Sequence, residues 1–350
     1  MKKQEEGRRM NFWQGLRRPF FVLAPMAEVT DVVFREFVAR RAKPDVFYTE
    51  FVSVKGLLSD EGRGHLLRDL FYTENQRPIA AQLFGSEPEE FERAAAMVRE
   101  LGFDGVDINM GCPDKKVEKQ GAGAALIRDP GRAKAIILAA REGAGNIPVS
   151  VKTRIGYNEI ITEEWVGELA SAGPAAIAVH LRTRKELSKV PAHWKETRKA
   201  ADAAHAFGIP FVANGDVGNR EEGEQLARES GADGIMIGRG VYGNPRVFGS
   251  GDGLRFTVNS GEGRGKSSLE DLAELIVMFD GFWEREKNYE ILKRFFASYI
   301  SGFRGAKELR VRLLATKSAD EALDILGIRP AYEEVMVSEK FVKAWGYLSM

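Results

Sequence analysis

One cysteine in 350 residues means that no intrachain disulfide can form. The histidines are equally scarce, four in all, and none clusters with that cysteine at zinc-ligand spacing, so no metal site is expected. Long hydrophobic runs are missing too. The charged opening MKKQEEGRRM leads into NFWQGLRRPFFVLAPM, which is too short and too interrupted to span a bilayer. No small-residue cleavage site follows an apolar core, and a soluble, cytoplasmic protein without a membrane partner is expected. There is no excess charge of either sign: 51 basic residues balance 51 acidic ones. Net charge therefore argues neither for nor against a nucleic-acid partner, and only its distribution can. Finally, no strand-like run leads into a G-x-G-x-x-G turn, which weakens any reading as a dinucleotide-binding open sheet.

What is present is a repeat of strand and helix. β-rich runs occur at 19–26, 46–52, 78–85, 105–111, 149–156, 176–183, 210–216 and 234–240. Helical patterns lie between most of them, at 31–41, 87–101, 132–142, 163–172, 195–207 and 220–230, several ending at a glycine. Eight alternations predict an α/β fold, a (β/α)8 TIM barrel, with a doubly wound sheet as runner-up. The expected organisation is a leader at 1–18, the barrel at 19–248, a glycine-rich linker at 249–267 and a C-terminal all-helical domain at 268–350. Within that last part, helices are expected at 269–286, 289–301, 306–315, 319–326 and 332–344.

Parity along the strands separates two faces. Val149, Val151 and Ile155 share one face and Lys152 and Arg154 the other; Ile177, Val179 and Leu181 oppose His180, Arg182 and Arg184. Val106, Ile108 and Met110 oppose Asp107 and Asn109, and Gln82 opposes Ile79, Ala81 and Leu83. The apolar faces should meet the helices, which turns the polar faces into the barrel and makes its inner wall hydrophilic. Buried polar groups without partners cost about 1–3 kcal/mol each. A ring of Gln82, Asn109, Lys152, Arg154, His180, Arg182 and Asn214 thus calls for a polar ligand or an internal network. The last two strands end in the turns Asn214-Gly215-Asp216-Val217-Gly218 and Gly238-Arg239-Gly240, whose backbone amides suit a phosphate. An aromatic ring system with a phosphate tail would fill such a mouth, and flavin mononucleotide (FMN) fits: Lys152 neutralising the reduced ring, Gln82 bonding its polar edge, and Ala24-Pro25-Met26-Ala27 lying against it.

Cys112 follows the fourth run in Asn109-Met110-Gly111-Cys112-Pro113, beside Lys115 and Lys116 and ahead of a glycine-rich stretch. A thiol in such a turn reads either as a reaction centre or as a small packed hydrophobe.

These pieces together resemble the dihydrouridine synthase family of flavoproteins, from about Val22 to Phe248 and more weakly through the tail. The resemblance is carried by LAPMAEVTD at 23–31, Thr49-Glu50, AAQLFG at 80–85, DINMGCP at 107–113, G-x-G-x-x-L from Gly121 to Leu126, VKTRIG at 151–156, His180-x-Arg-Thr-Arg184, NGD at 214–216 and GRG at 238–240. It implies that Pro25, Met26, Ala27, Gln82, Lys152, His180, Asn214, Gly215, Asp216, Gly238 and Arg239 bind FMN. It implies further that Asn109, Arg154, Arg182 and Arg184 meet the substrate and that Cys112 is the general acid. NADPH would be the reductant, tRNA the partner and substrate, a specific uridine the target, and no metal would take part. A monomer is expected. The chain departs from many relatives at Ser188, Val190 and His193, ahead of Trp194, where target choice can differ.

The tail supports RNA through its local charge. Lys287, Lys293, Arg294, Arg304, Lys307, Arg310, Arg312 and Lys317 face only Glu290 and Glu308 in that stretch, with Phe295, Phe296, Tyr299 and Phe303 interleaved. The same aromatics also read as a helical core and the charges as a solvated face. Three other functions stay open on the residues alone: a flavin barrel acting on a free pyrimidine, as dihydroorotate dehydrogenases do; a non-catalytic RNA-binding protein; and a lyase using Lys152 as a Schiff-base amine.

Overall fold

A computed structural model describes residues 11–249, 261–284 and 286–330, with only the helical backbone described for 261–266. Nine strands make one parallel sheet: β1 Phe20–Leu23, β2 Phe47–Tyr48, β3 Val52–Ser53, β4 Ile79–Phe84, β5 Gly105–Asn109, β6 Val149–Arg154, β7 Ile177–His180, β8 Phe211–Asn214 and β9 Gly234–Ile237. From β4 to β9 each strand pairs with the next in the chain, and β1 pairs with β9. β2 and β3 both lie along β4, and a parallel bridge from Val22 to Val46 brings the two ends of the sheet together. The result is the expected (β/α)8 barrel. The run at 46–52 is not one strand but two pieces, because Thr49 breaks it. Its hydroxyl donates to the Glu50 carbonyl (2.8 Å) and accepts the Gln82 N–H (3.0 Å) in place of a ladder bond.

The six expected crossover helices are present, at Val32–Ala42, Pro88–Glu100, Pro130–Ala144, Thr162–Ala170, Thr197–His205 and Arg220–Ser230. Two more, Val54–Leu58 and Asp60–Asp69, escape the sequence pattern because Gly56, Gly62 and Gly64 dilute it; Ser53 and Ser59 cap them. Strand parity sorts the side chains as expected. Ile79, Ala81, Leu83, Val106, Ile108, Met110, Val149, Val151, Ile177 and Val179 join the core under the helices.

The inner wall corrects one expectation: it is hydrophilic only in its upper part. Phe20, Val22, Val46, Tyr48, Ala80, Ala178, Val212 and Met236 form a separate apolar cluster at its base. The short helix Phe12–Gly15, capped by Asn11, inserts Trp13 into that cluster at 1% exposure. Trp13 lies 5.8 Å from the Phe20 ring and 6.3 Å from Tyr48. Part of the segment expected as a leader is thus the plug of the barrel floor.

Beyond the barrel, helices run at Gly261–Trp283, Lys293–Tyr299, Ala306–Ala315 and Ala319–Leu326. The first begins inside the stretch expected as linker, of which 250–260 lie outside the described residues, as does the helix expected at 332–344. The first two dock on Val32–Ala42, and the other two pack against them. Phe295 stacks on Phe34 at 4.9 Å, Arg41 pairs with Asp271 and Glu274, and Trp283 Nε1 donates to Asp31 at 2.8 Å. No helix among the described residues is long and apolar enough to cross a membrane.

Candidate active site

The strands carry their polar side chains to one end of the barrel. Register sets Asn109 beside Lys152, and Arg154, His180 and Asn214 in one row across β6, β7 and β8. Above them opens a cavity of about 570 Å³. Pro25, Met26, Gln82, Asn109, Cys112, Lys152, Arg154, His180, Arg182, Asn214, Gly215, Asp216, Gly238 and Arg239 all line it. Of the residues singled out in the sequence, Ala27 and Arg184 are not among its lining. Phe51 and Ser188 line it as well. Phe51 sits in the gap between β2 and β3, against Phe84, and its only signal in the sequence is adjacency to the Thr49-Glu50 pair.

The site concentrates positive charge at a cost. Burial, helped by Arg154, pushes the Lys152 ammonium down to about 8, and among the described residues its Nζ has one weak acceptor, Asn214 Oδ1, at 3.5 Å. The Asn214 amide is held from behind by the Met236 carbonyl (2.8 Å). Burial and then the cations Lys152, Arg154, Arg182 and Arg239 push His180 down to about 2, so its imidazole is neutral at physiological pH. His180 Nε2 lies 3.0 Å from Arg182 Nη1. A guanidinium only donates, so Nε2 accepts and the ring proton sits on Nδ1. Arg182 is fixed further by the Val190 carbonyl (2.6 Å) and by the Asp216 carboxylate. Asp216 also accepts the Ala192 N–H (2.9 Å) and Arg239 (3.2 Å), which ties the loop after β7 to the two glycine turns. Gly215 has φ +152, and a Cβ there would come within 2.6 Å of Ala192, so the turn requires glycine.

Cys112 is held through its backbone. Asn109 Oδ1 accepts the N–H groups of Gly111 (3.1 Å) and Cys112 (2.9 Å). Arg154 Nε donates to the Gly111 carbonyl (2.7 Å), and its Nη1 reaches the carbonyls of Thr183 (3.2 Å) and Leu187 (3.0 Å). Arg154 therefore links the cysteine turn to the loop carrying Ser188. The glycine-rich stretch after the turn has a local cause. Gly123 (φ +61) packs so close that a Cβ would lie 2.8 Å from the Cys112 carbonyl, while Ala124 N donates to that carbonyl at 3.0 Å. Burial pushes the Cys112 thiol up, against the opposing pull of the Asp114 backbone N–H, Arg154 and Lys152. Lys115 and Lys116, its neighbours in sequence, are exposed and do not set its acidity.

Two residues near the rim are engaged elsewhere. Arg184 grips Glu118 through Nε (2.7 and 2.9 Å) and lies over the Tyr157 ring. His193 pairs with Glu186 at 2.8 Å. In the tail, Phe295, Phe296 and Tyr299 are core, and Lys287 is half-buried against Asp31, Glu50 and Asp69, while Arg304, Lys307, Arg312 and Lys317 are exposed. No group of His, Cys, Asp and Glu among the described residues is arranged to hold a metal ion.

Comparison with known proteins bears on what this cavity takes. Residues 22–335 match the family model described as "Dihydrouridine synthase (Dus)". The chain is 42% identical over 321 residues to a protein named probable tRNA-dihydrouridine synthase 2 from Bacillus subtilis (strain 168), covering 90% of this chain and 95% of that one. It is 41% identical over 320 residues to the probable tRNA-dihydrouridine synthase of Staphylococcus aureus (strain COL), covering 90% and 94%. Among solved structures, histamine dehydrogenase from Rhizobium sp. 4-9 superposes with a TM-score of 0.50 at 12% identity, covering 74% of this chain and 48% of that one. That likeness concerns the fold alone.

Proposed function

The chain belongs to the dihydrouridine synthase family, and on that premise we propose that it reduces specific uridines of tRNA to 5,6-dihydrouridine, working in the cytoplasm as a monomer with FMN in the barrel mouth and NADPH as reductant. One observation carries the reading. The only thiol of the chain and the polar side chains of five strands line a single cavity, whose dominant charge is positive. That cavity suits FMN by its chemistry. Lys152, half-buried with one weak acceptor among the described residues, needs an anionic or electron-rich partner, and the glycine turns after β8 and β9 let a phosphate approach backbone. Lys152, Gln82, His180 and Asn214 would hold the ring system, with Pro25 and Met26 against it. Gly215, Asp216, Gly238 and Arg239 would meet the phosphate end.

When bound, the flavin supplies the hydride that reaches carbon 6 of the uracil ring. The uridine must first leave its stack to enter the cavity. Asn109, Arg154 and Arg182 then border the base. Cys112 holds the proton that carbon 5 requires, and burial keeps the thiol protonated at neutral pH. Once the proton has moved from Sγ to carbon 5, the remaining thiolate lies in the field of Arg154 and Lys152, which favour it until solvent returns a proton. The exposed bases Arg304, Lys307, Arg312 and Lys317 give the tail a face for the tRNA backbone.

The test is direct. The purified protein is incubated with NADPH and tRNA from cells deleted for its gene, and dihydrouridine is mapped by mass spectrometry. The expected result is a yellow protein and a gain of two hydrogens at a defined uridine. A colourless protein, or reduction of free uracil in preference to tRNA, overturns the proposal.

A further inference from the structure

Beneath the cavity lies a buried carboxylate to which the mechanism above gives no task. Asp107 precedes Asn109 by two positions on β5, so both point into the barrel. It is fully buried, and both oxygens are engaged. Oδ2 accepts Gln82 Nε2 at 2.7 Å and Oδ1 accepts Ser150 Oγ at 2.6 Å. Gln82, equally buried, has its Oε1 turned to Asn109, whose Nδ2 donates to it at 3.0 Å. Asn109 in turn directs Oδ1 at the N–H groups of Gly111 and Cys112. The four groups make one chain of hydrogen bonds from the barrel interior to the turn that bears the thiol.

The chain has a direction, and its chemistry sets it. A side-chain amide has nearly the same shape whichever way its oxygen and nitrogen face, so shape alone does not orient Gln82 or Asn109. An ionised carboxylate accepts and never donates. Facing Asp107, Gln82 must present nitrogen, which leaves its oxygen for Asn109. Asn109 must then present nitrogen to Gln82 and oxygen to the two backbone donors of the cysteine turn. Reversing either amide would set donor against donor or acceptor against acceptor inside a dry wall, where an unmade bond is expensive.

We propose that Asp107 is a positioning residue: its carboxylate orients Gln82, through it Asn109, and thereby holds the backbone turn that presents the Cys112 thiol. The inference rests on the role given to Cys112 above and deepens it.

Because the chain has a single cysteine, alkylation by iodoacetamide reads the state of that turn without ambiguity and without tRNA. Asp107→Leu keeps the forked side-chain skeleton, with methyl groups somewhat larger than the oxygens, and removes both acceptors. It should speed alkylation of Cys112 roughly fivefold, as loss of one buried hydrogen-bonded restraint allows. It should also lower kcat for uridine reduction by roughly tenfold or more, since small displacements of a reacting group are costly. Asp107→Asn can still offer an oxygen to Gln82 while its amide nitrogen turns to Ser150 Oγ. It should stay within about twofold of the parent on both readouts. A role confined to general stability would lower the melting temperature without separating the two variants in alkylation. Equal alkylation rates in the parent and in Asp107→Leu overturn the proposal, as do equal increases in both variants. If Asp107→Leu does not fold, Gln82→Met cuts the chain one link higher at similar length; the same rise in alkylation is expected, and the parent rate refutes it. A parent protein that leaves tRNA untouched sinks the proposed function, whereas the alkylation series decides the relay on its own.

Discussion

The floor and the mouth of this barrel are built from the same strands and differ in nearly every physical respect. On β7 the inward positions read Ala178 and then His180; on β8, Val212 and then Asn214; on β6, Ser150, Lys152 and Arg154. The floor is a sealed apolar plug in which Phe20 fills the space over Gly234, where a Cβ would lie 2.2 Å from the ring, and Trp13 closes the end. The mouth gathers a lysine, three arginines and a neutral histidine at the edge of solvent. Burial stabilises the first and penalises the second. One layer pays for the other, so substitutions in the two layers should affect stability and chemistry in opposite proportions.

The largest break in that comparison is expected at Cys112. Cys112→Ala should leave flavin binding and its reduction by NADPH intact and slow dihydrouridine formation about 10²–10⁴-fold, the range of a positioned general acid. Its melting temperature should hardly move, because the thiol is only part-buried and its turn is fixed through the backbone. Single-turnover reduction of tRNA separates the two steps; turnover at the parent rate would remove Cys112 from the chemistry. Trp13→Ala should do the reverse. Emptying the plug should cost about 3–5 kcal/mol in denaturant unfolding, with the rate per folded molecule unchanged. A fall in kcat without a fall in stability would mean that floor and mouth are coupled more tightly than their separate clusters indicate.

Lys152 tests the cost of the mouth itself. Its folded-state pKa, pushed down to about 8, lies below the value of an exposed lysine. Below pH 8 both folded and unfolded chains carry the proton, and the folded one bears the full penalty of burying it. Between the folded and the unfolded pKa only the unfolded chain holds the proton, so stability rises with pH across that window. Lys152→Met should therefore stabilise the flavin-free protein by about 1–3 kcal/mol at pH 7, with partial exposure keeping the gain small. The advantage should fade as pH climbs above 8, and the variant should lose its yellow colour. Urea midpoints measured from pH 7 to 10 check the sign: a constant difference would place the ammonium in water rather than in the wall.

Much of this division is legible in the sequence, and the reasons for the rest are local. Period-two alternation placed Val151 under the helices and Lys152 inside, since the pleat leaves no other choice. It could not reveal the floor, because the apolar inward residues come at the amino ends of strands and merge there with the outward set: Phe20 and Phe21 differ only in direction. Trp13 was hidden for another reason. It belongs to no strand and reaches the barrel from a four-residue helix with no periodicity to detect. The helices at 54–58 and 60–69 were masked by glycine. In the site, motif residues on strands found their places, whereas Arg184, two positions past Arg182, left the parity that governs a strand because β7 ends at His180.

Arg184 also marks where the mouth stops, and its effect should be the smallest. The resemblance to relatives makes it a substrate contact; the structure turns it to the barrel's flank. Its guanidinium holds the buried carboxylate of Glu118 with both oxygens engaged and lies over Tyr157, which Arg128 also covers, at 4.3 Å. A side chain committed to two partners has little left for RNA. Arg184→Gln should then strand Glu118 and lower stability by about 1 kcal/mol, a value discounted for the pair's partial exposure. KM for tRNA should stay within about twofold, the range of a surface change outside the contact. Urea unfolding beside steady-state kinetics on one tRNA distinguishes the cases. A tenfold rise in KM with an unchanged midpoint would mean that Arg184 abandons Glu118 when RNA arrives, and the mouth would then extend one loop further along the barrel rim than the cavity does.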